Sequence, residues 1–389
     1  MGKLIREYSR ATDWTYLLLC MACSVLSVLT LVSIGTYNLG GFETDMGQIT
    51  GIGGYRTALV QAVASLLGVA MAIGLSCIDY RAMVQAWPLH VAGAWGLVAL
   101  TFLKMDLGPV SLGWRPEGTD NYSWIRVAGL SLQPTELAKI SFILTFAMHL
   151  AAVKDDLNDP PELLKLLAHM AVPVVIIHFQ GDDGTALCFA VIFLFMLFSA
   201  GLSWRFIAAG VGAVVVAVPI LWNFVLSDMQ KRRFLILFNP ELDPLGDAFQ
   251  QIQSKNAIGS GGVFGLGLFG ETPVEVPYMR NDFIFAYIGQ TMGFVGGTMV
   301  VLALLFVALK MLLNGLRSVD KYGYFICVGV FAIFFFQIFI NIGMCLGFMP
   351  VIGLTLPFLS AGGTSVVMLY LSVGIVQSVF MHGKRDLFS

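Results

Sequence analysis

The chain has 389 residues, 57% of them hydrophobic and 12% charged, with a formal net charge of −2 and a mean hydropathy of +0.82. Soluble globular chains carry about 25% charged residues, and half that share leaves too few polar groups to coat a water-facing surface. A soluble cytosolic enzyme and a disordered chain are therefore excluded, and no basic field exists to hold nucleic acid.

A bilayer core takes about 20 apolar residues per helix. That ruler gives ten predicted spans, at 14–36, 57–77, 83–103, 133–153, 162–180, 184–201, 204–226, 283–313, 322–347 and 357–381. The expected fold is an all-α polytopic membrane protein of about ten transmembrane helices, forming a single integral membrane domain over residues 1–389. Only Gln180-Gly181-Asp182-Asp183-Gly184 divides the fifth span from the sixth; unbroken, that run of about 40 residues is too long for one crossing. The 42 glycines suit helices that approach closely in lipid. Cys20 and Cys23 have a redox-like spacing, but they sit in an apolar run with no second pair and read as packing.

Lys and Arg in the connections set the orientation. With the N-terminus inside, twelve fall on inner segments and span edges, including Arg6, Arg10, Arg81, Lys310, Arg317 and Lys321. Four fall on the short outer loops: Arg56, Lys104, Arg115 and Arg126. Both termini are expected in the cytoplasm. The large hydrophilic loop 227–282 is then extracytoplasmic, and its mix of Phe, Pro, Gly and polar residues predicts a folded cover on the membrane surface. A shorter outer loop, 104–132, holds Trp114 and Trp124. Neither side has a segment the size of an ATPase, which excludes a self-contained ATP-driven pump.

Polar residues inside or at the edge of a span are costly and point to function. Four clusters qualify, all at the outer side of this topology. Gln133-Pro134-Thr135-Glu136 with Lys139 opens the fourth span; Glu136 and Lys139 share a helix face and can pair. Asp182-Asp183-Gly184-Thr185 opens the sixth, where Asp182 is either a plain N-cap or a functional carboxylate. The run Gln253 to Gly267, with Lys255, Ser260, Gly261 and Gly262, lacks a P-loop ending and a preceding strand. Its backbone N–H groups and Lys255 could hold an external phosphate, and the alternative is a flexible turn. Arg280-Asn281-Asp282 precedes the eighth span; Asp282 is either an N-cap or a general base in a partly dehydrated site.

In this order the clusters resemble the SEDS family of shape, elongation, division and sporulation proteins, which includes RodA, FtsW and SpoVE. The resemblance is strongest at Asn341-Ile342-Gly343-Met344 and at Pro350 to Ser365, similar to the family's NIGM and LPFiSyGG patterns. Gln133 to Lys139 resembles its QPSE-x-x-K, Trp124-Ile125 its RWI, and Gln253 to Gly262 its QS-x-x-AIGSGG. Asp182 aligns with the Asp of its QPDLGTA, and Asn281 to Ala286 is similar to its TDFIFA.

The resemblance implies a peptidoglycan glycosyltransferase that polymerises lipid II outside the cytoplasmic membrane, for elongation or division, alongside a class B penicillin-binding protein. It implies Asp282 as the essential carboxylate. Lys255, Ser260, Gly261, Gly262, Arg280, Asp182 and Trp124 then become substrate-binding candidates, and Glu136 with Lys139 a supporting ion pair. A base is what such a reaction needs, because a sugar hydroxyl attacks C1 of the donor. The diphosphate leaving group needs positive charge instead of an acid. Lys255, Arg280, Arg232, Arg233 or a divalent cation such as Mg²⁺ or Mn²⁺ could supply it; no organic cofactor is expected. Four departures from the family pattern mark a divergent branch: Gln290-Thr291 in place of Glu-Glu, Ser123 in place of the Arg of RWI, Gly181 in place of a Pro, and Ala361 in place of a Tyr. A lipid II flippase and a silent scaffold for the penicillin-binding protein are the competing readings. The flippase predicts charge near the bilayer midplane, where this sequence has little.

Overall fold

The computed structural model describes residues 2–37, 53–115, 121–224, 226–239, 242–243, 246, 248–270 and 273–383. A short N-terminal helix α1 (Gly2–Ala11) precedes α2 (Trp14–Thr36), α3 (Gly53–Ser76), α4 (Tyr80–Gln85) and α5 (Trp87–Thr101). Three strands follow, β1 (Val110–Trp114), β2 (Trp124–Val127) and β3 (Leu130–Leu132). Then come α6 (Pro134–Ala152), α7 (Pro160–Phe179), α8 (Asp183–Ser199) and α9 (Trp204–Phe224). The segment read as an outer cover holds α10 (Asp228–Phe238) and α11 (Phe249–Ser260), and α12 (Ile284–Leu316), α13 (Lys321–Cys345) and α14 (Gly363–His382) complete the chain. Among the described residues eight helices are long and apolar enough to cross a membrane, and α8 is a shorter apolar helix.

Each predicted span falls on helix, with three differences. The third is broken into α4 and α5 at Ala86, because Pro88 in the first turn of α5 has no N–H to continue α4. The eighth is kinked at Gly293, whose φ of 67° and ψ of −169° only glycine adopts without strain. The tenth starts at Gly363 instead of 357, since the residues before it form a non-helical segment that is part of the site. The 104–132 loop also holds more order than its polarity suggests: β1, β2 and β3 form an antiparallel sheet in that order.

The bundle is held by close helix pairs, most extensively α14 on α3, α12 on α13 and α2 on α3. Small residues permit this. A Cβ on Gly374 of α14 would lie 2.8 Å from the Ala72 carbonyl oxygen of α3, so only glycine allows that approach. By contrast α9 buries none of its residues and stands at the periphery.

One end of the bundle is fastened by charges. Asp13 caps α2 and pairs with Lys310 at 2.7 Å. Asp320 caps α13, accepts from Tyr80 at 2.6 Å and pairs with Arg81 at 2.6 Å. Tyr8 of α1 bonds Ser76 at 3.0 Å, and Val319 N–H donates to the Gly383 carbonyl at 3.0 Å. Both described chain ends therefore lie at this end, and the motif residues gather at the other.

Candidate active site

The centre of the site is the stretch between α13 and α14. Non-helical backbone at membrane depth survives only where protein satisfies its polar groups, and here amide and hydroxyl side chains do so. Gln251 Nε2 donates to the Met349 carbonyl at 2.7 Å, and Ser254 Oγ to the Cys345 carbonyl at 2.8 Å. Ser27 Oγ donates to the Leu359 carbonyl at 2.7 Å. Gln61, in the middle of α3, donates to the Ser360 carbonyl at 3.1 Å and accepts from the Gly362 N–H at 3.1 Å.

Asp282 is laid against this stretch. Asn341 Nδ2 donates to the Asp282 backbone carbonyl at 2.8 Å and to the Leu354 carbonyl at 2.7 Å, fastening the two chains together. Ser360 Oγ donates to the Asn281 carbonyl at 2.6 Å, and Ala361 N–H to the Arg280 carbonyl at 2.8 Å. Gly353, at φ 76°, brings its backbone under the carboxylate; a Cβ there would lie 3.6 Å from Asp282 Oδ2. Burial pushes the Asp282 carboxyl from 3.8 up to about 6 because the charged form loses hydration. The N-cap of α12 is Phe283, and no side chain, that of Asp282 included, makes a capping bond there. The plain-cap alternative is therefore set aside.

Lys255 comes to the same stretch from α11. It is exposed, and its chain runs over Gly347, where a Cβ would lie 3.4 Å from Nζ. Asp282 and Lys255 thus flank one segment, at Gly353 and Gly347.

A second group adjoins the first. Asp182 caps α8 through the Thr185 N–H at 3.1 Å and accepts from Gln133 at 2.7 Å and Ser123 at 3.3 Å. The serine that replaces the family's arginine is thus a direct partner of the aspartate. Lys139 is 2% exposed and pairs with Glu136 at 2.7 Å, the ion pair expected from their spacing. The two groups meet where Gly184 of α8 packs on Ile352. Trp124 lies on β2 and forms a cross-strand pair with Trp114.

The glycine run does not form the phosphate cradle expected of it. The N–H groups of Gly261, Gly262, Gly265, Leu266 and Gly267 all donate to carbonyls of this chain, the last two to Gln290 and Thr291 at 3.0 and 2.9 Å. The run seals against the α12 kink, with Phe294 N–H donating back to the Gly262 carbonyl at 2.9 Å. A Cβ at Gly261 would lie 2.2 Å from the Gly289 carbonyl oxygen, so glycine is needed there for approach. Gln290, 0% exposed, turns its amide to the backbone of Val274, accepting from its N–H at 2.8 Å and donating to its carbonyl at 3.3 Å. Ser260 Oγ lies 3.1 Å from the same amide. Gln290 is thereby matched to its surroundings as a neutral group.

Among the described residues no three His, Cys, Asp or Glu gather as a metal-ligand set. The described side chains alone therefore do not make up a divalent cation site. Sequence reasoning gave no role to Asn341, Ser360 or Gln61. All are uncharged, and their work is to hold backbone. The signal that marks them is an amide or hydroxyl inside an otherwise apolar span.

Residues 11–385 match the family model described as cell cycle protein, that of FtsW, RodA and SpoVE. The chain belongs to this family. It is 32% identical over 383 residues to the peptidoglycan glycosyltransferase MrdB of Escherichia coli K12, covering 96% of this chain and 94% of that one. It is 34% identical over 267 residues to the stage V sporulation protein E of Bacillus subtilis, covering 67% and 72%. The fold is similar to a chain of a peptidoglycan synthase complex, with a TM-score of 0.76, 23% identity and coverage of 96% and 99%. It is also similar to the rod shape determining protein RodA of Thermus thermophilus, with a TM-score of 0.64, 21% identity and coverage of 96% and 98%. The protein is a multi-pass protein of the bacterial inner membrane.

Proposed function

We infer that this glycosyltransferase polymerises lipid II into peptidoglycan glycan strands, with Asp282 as general base. The observation that carries the reading is the seat of Asp282: a carboxylate with its pKa raised to about 6 by burial, pinned through its backbone by Asn341. A base is most effective when its pKa lies near the working pH. Raised to this value, Asp282 is ionised at neutral pH yet basic enough to accept a proton from the acceptor sugar hydroxyl as that oxygen attacks C1 of the donor.

The bond from C1 to the lipid diphosphate breaks as the new glycosidic bond forms. The diphosphate leaves with its electron pair and needs no proton. We assign Lys255, exposed over Gly347, and Arg280, two residues before Asp282, to face that charge, an interaction worth most where water is excluded. The bundle orients the two polyprenyl tails and so brings the two sugars together. The end that holds Arg81, Lys310, Arg317 and Lys321 faces the cytoplasm by the distribution of positive charge, which turns the Asp282 end outward. A class B penicillin-binding protein is the expected partner, as the complex that holds the similar fold suggests.

The test is glycan polymerisation from lipid II by the purified chain with its transpeptidase partner, with Asp282→Asn alongside. Long strands from the wild type and none from the variant support the reading. Strands from both remove Asp282 as the base. None from a well-folded wild-type complex overturns polymerisation.

A further inference from the structure

The small sheet has a face that takes no part in the bond-forming step at Asp282. Arg126 sits over the Trp114 ring, its guanidinium carbon 5.1 Å from the centroid. Trp114 pairs in register with Trp124, and Arg126 is flanked by Ser111 on β1 and Ser131 on β3. Successive strand residues alternate faces. Ile125, of the other parity, is the buried one, at 5% exposure. The face of Trp124 and Arg126 is thus turned away from the helices. Both indoles on it are part-exposed. Beside it Asp106 accepts from Ser111 Oγ at 3.1 Å, and Lys104 Nζ lies 3.8 Å from the centroid of the Tyr122 ring.

The sheet adjoins the segment that holds Asp282. Thr364, at the start of α14, donates through Oγ1 to the Ser131 carbonyl of β3 at 2.9 Å. Three residues earlier, Ala361 holds the Arg280 carbonyl.

We propose that the Trp114–Trp124–Arg126 face of the sheet is a product-side subsite that binds the growing glycan strand. The chemistry fits a polymer of amino sugars. An indole is a broad, rigid, amphipathic surface that stacks on the C–H face of a pyranose ring. Cross-strand neighbours lie about 5 Å apart, the same order as the length of one ring, so the pair can take adjacent sugars. Ser111, Ser131 and Asp106 offer partners for hydroxyl and amide groups, and Arg126 offers charge for the carboxylates of the stem peptides. The proposal deepens the polymerase reading and rests on it for the source of the strand. No bond forms or breaks at the sheet; it retains the product.

The test uses the full-length protein in detergent, with Trp114→Ala and Arg126→Ala. The first probe is lipid-free, uncross-linked glycan oligomers, titrated against intrinsic tryptophan fluorescence and by co-sedimentation. Loss of one aromatic anchor should weaken binding by about tenfold, and Asp282→Asn should bind like the wild type. The second readout is strand length, compared at equal lipid II consumption; both sheet variants should release shorter strands. Thermal melting confirms that each variant is folded. Wild-type affinity and strand length in both variants would overturn the proposal. So would a loss confined to binding of the transpeptidase partner, which would make the face a protein-docking surface. If the wild type binds oligomers but makes no strands, the polymerase reading fails and the subsite does not.

Discussion

Replacing Asp282 with Asn separates two properties that one carboxylate combines. The side chains have the same shape, and the bonds that hold this position, from Asn341 and at the neighbouring Asn281 and Arg280 carbonyls, all use backbone oxygens. The substitution should therefore leave the local structure intact. Its energetic effect follows from burial. The folded carboxyl titrates at about 6 instead of 3.8, so between those values the folded state binds more protons than the unfolded one. Stability then falls as pH rises from about 4 to about 6 and stays reduced above that. The full rise corresponds to a ceiling of about 3 kcal/mol, and screening of a carboxylate that is only part-buried brings the working figure to about 1–2 kcal/mol. Asn carries none of this cost. Melting in detergent at pH 7.5 should show Asp282→Asn more stable than the wild type, with the gap closing as the buffer is taken below pH 5. Strand synthesis should drop by about 10²–10⁴-fold, the contribution of a general base. Wild-type synthesis should itself fall on the acid side with a midpoint near 6. A variant less stable at every pH, or one that still polymerises, would refute the argument.

Three further outcomes follow from the same contacts. Asn341→Leu leaves the Leu354 carbonyl without its side-chain donor and the Asp282 carbonyl with only the weak Cys345 thiol at 3.8 Å; at about 1–3 kcal/mol for an orphaned group it should lower the melting temperature and slow synthesis together. Glu136→Gln strands the Lys139 charge in the bundle at 2% exposure and should cost about 3–5 kcal/mol; the double variant Glu136→Leu/Lys139→Met should recover most of that loss in the same melting assay. Gln290→Glu restores one acid of the family pattern but sets a carboxylate oxygen against the Val274 carbonyl. Its melting temperature should fall by the equivalent of about 1–3 kcal/mol and recover at low pH, where the acid is protonated and can donate.

Much of this architecture was legible because lipid imposes a simple rule. The first span read from hydropathy, 14–36, coincides with α2, and 133–153 differs from α6 by one residue at each end. Spacing likewise exposed the Glu136–Lys139 pair, whereas Asp282 read as an N-cap by itself and stood out only through the family resemblance. What hydropathy cannot show is conformation within an apolar or mixed stretch. Pro357 and Phe358 read as the start of the tenth span, yet Phe358 has φ 64° and its neighbours are held by side chains from α2 and α3. The glycine run looked like an anion cradle because composition does not say where N–H groups point. In the fold those of Gly261, Gly262 and Gly265 turn to carbonyls of their own segment, and those of Leu266 and Gly267 to the carbonyls of the α12 kink. The sheet escaped notice because its strands are three to five residues long, too short for alternation to stand out. Asn341, Ser360 and Gln61 escaped because an uncharged amide or hydroxyl barely moves an average over a span.

The stretch between α13 and α14 also has a consequence for how the protein is made. Nearly everything that holds Asp282 in place is synthesised after it: Asn341, Leu354, Ser360, Ala361 and then the helix that carries Thr364. A nascent chain that has inserted α12 already possesses its carboxylate, but not the surroundings that raise its pKa or fix its position. Reactivity therefore arrives as a late event in biogenesis, when the last hairpin closes over a site whose parts were already in the membrane. With Asp282 as the proposed base, a chain stalled or clipped before α14 would keep most of its spans and be chemically silent.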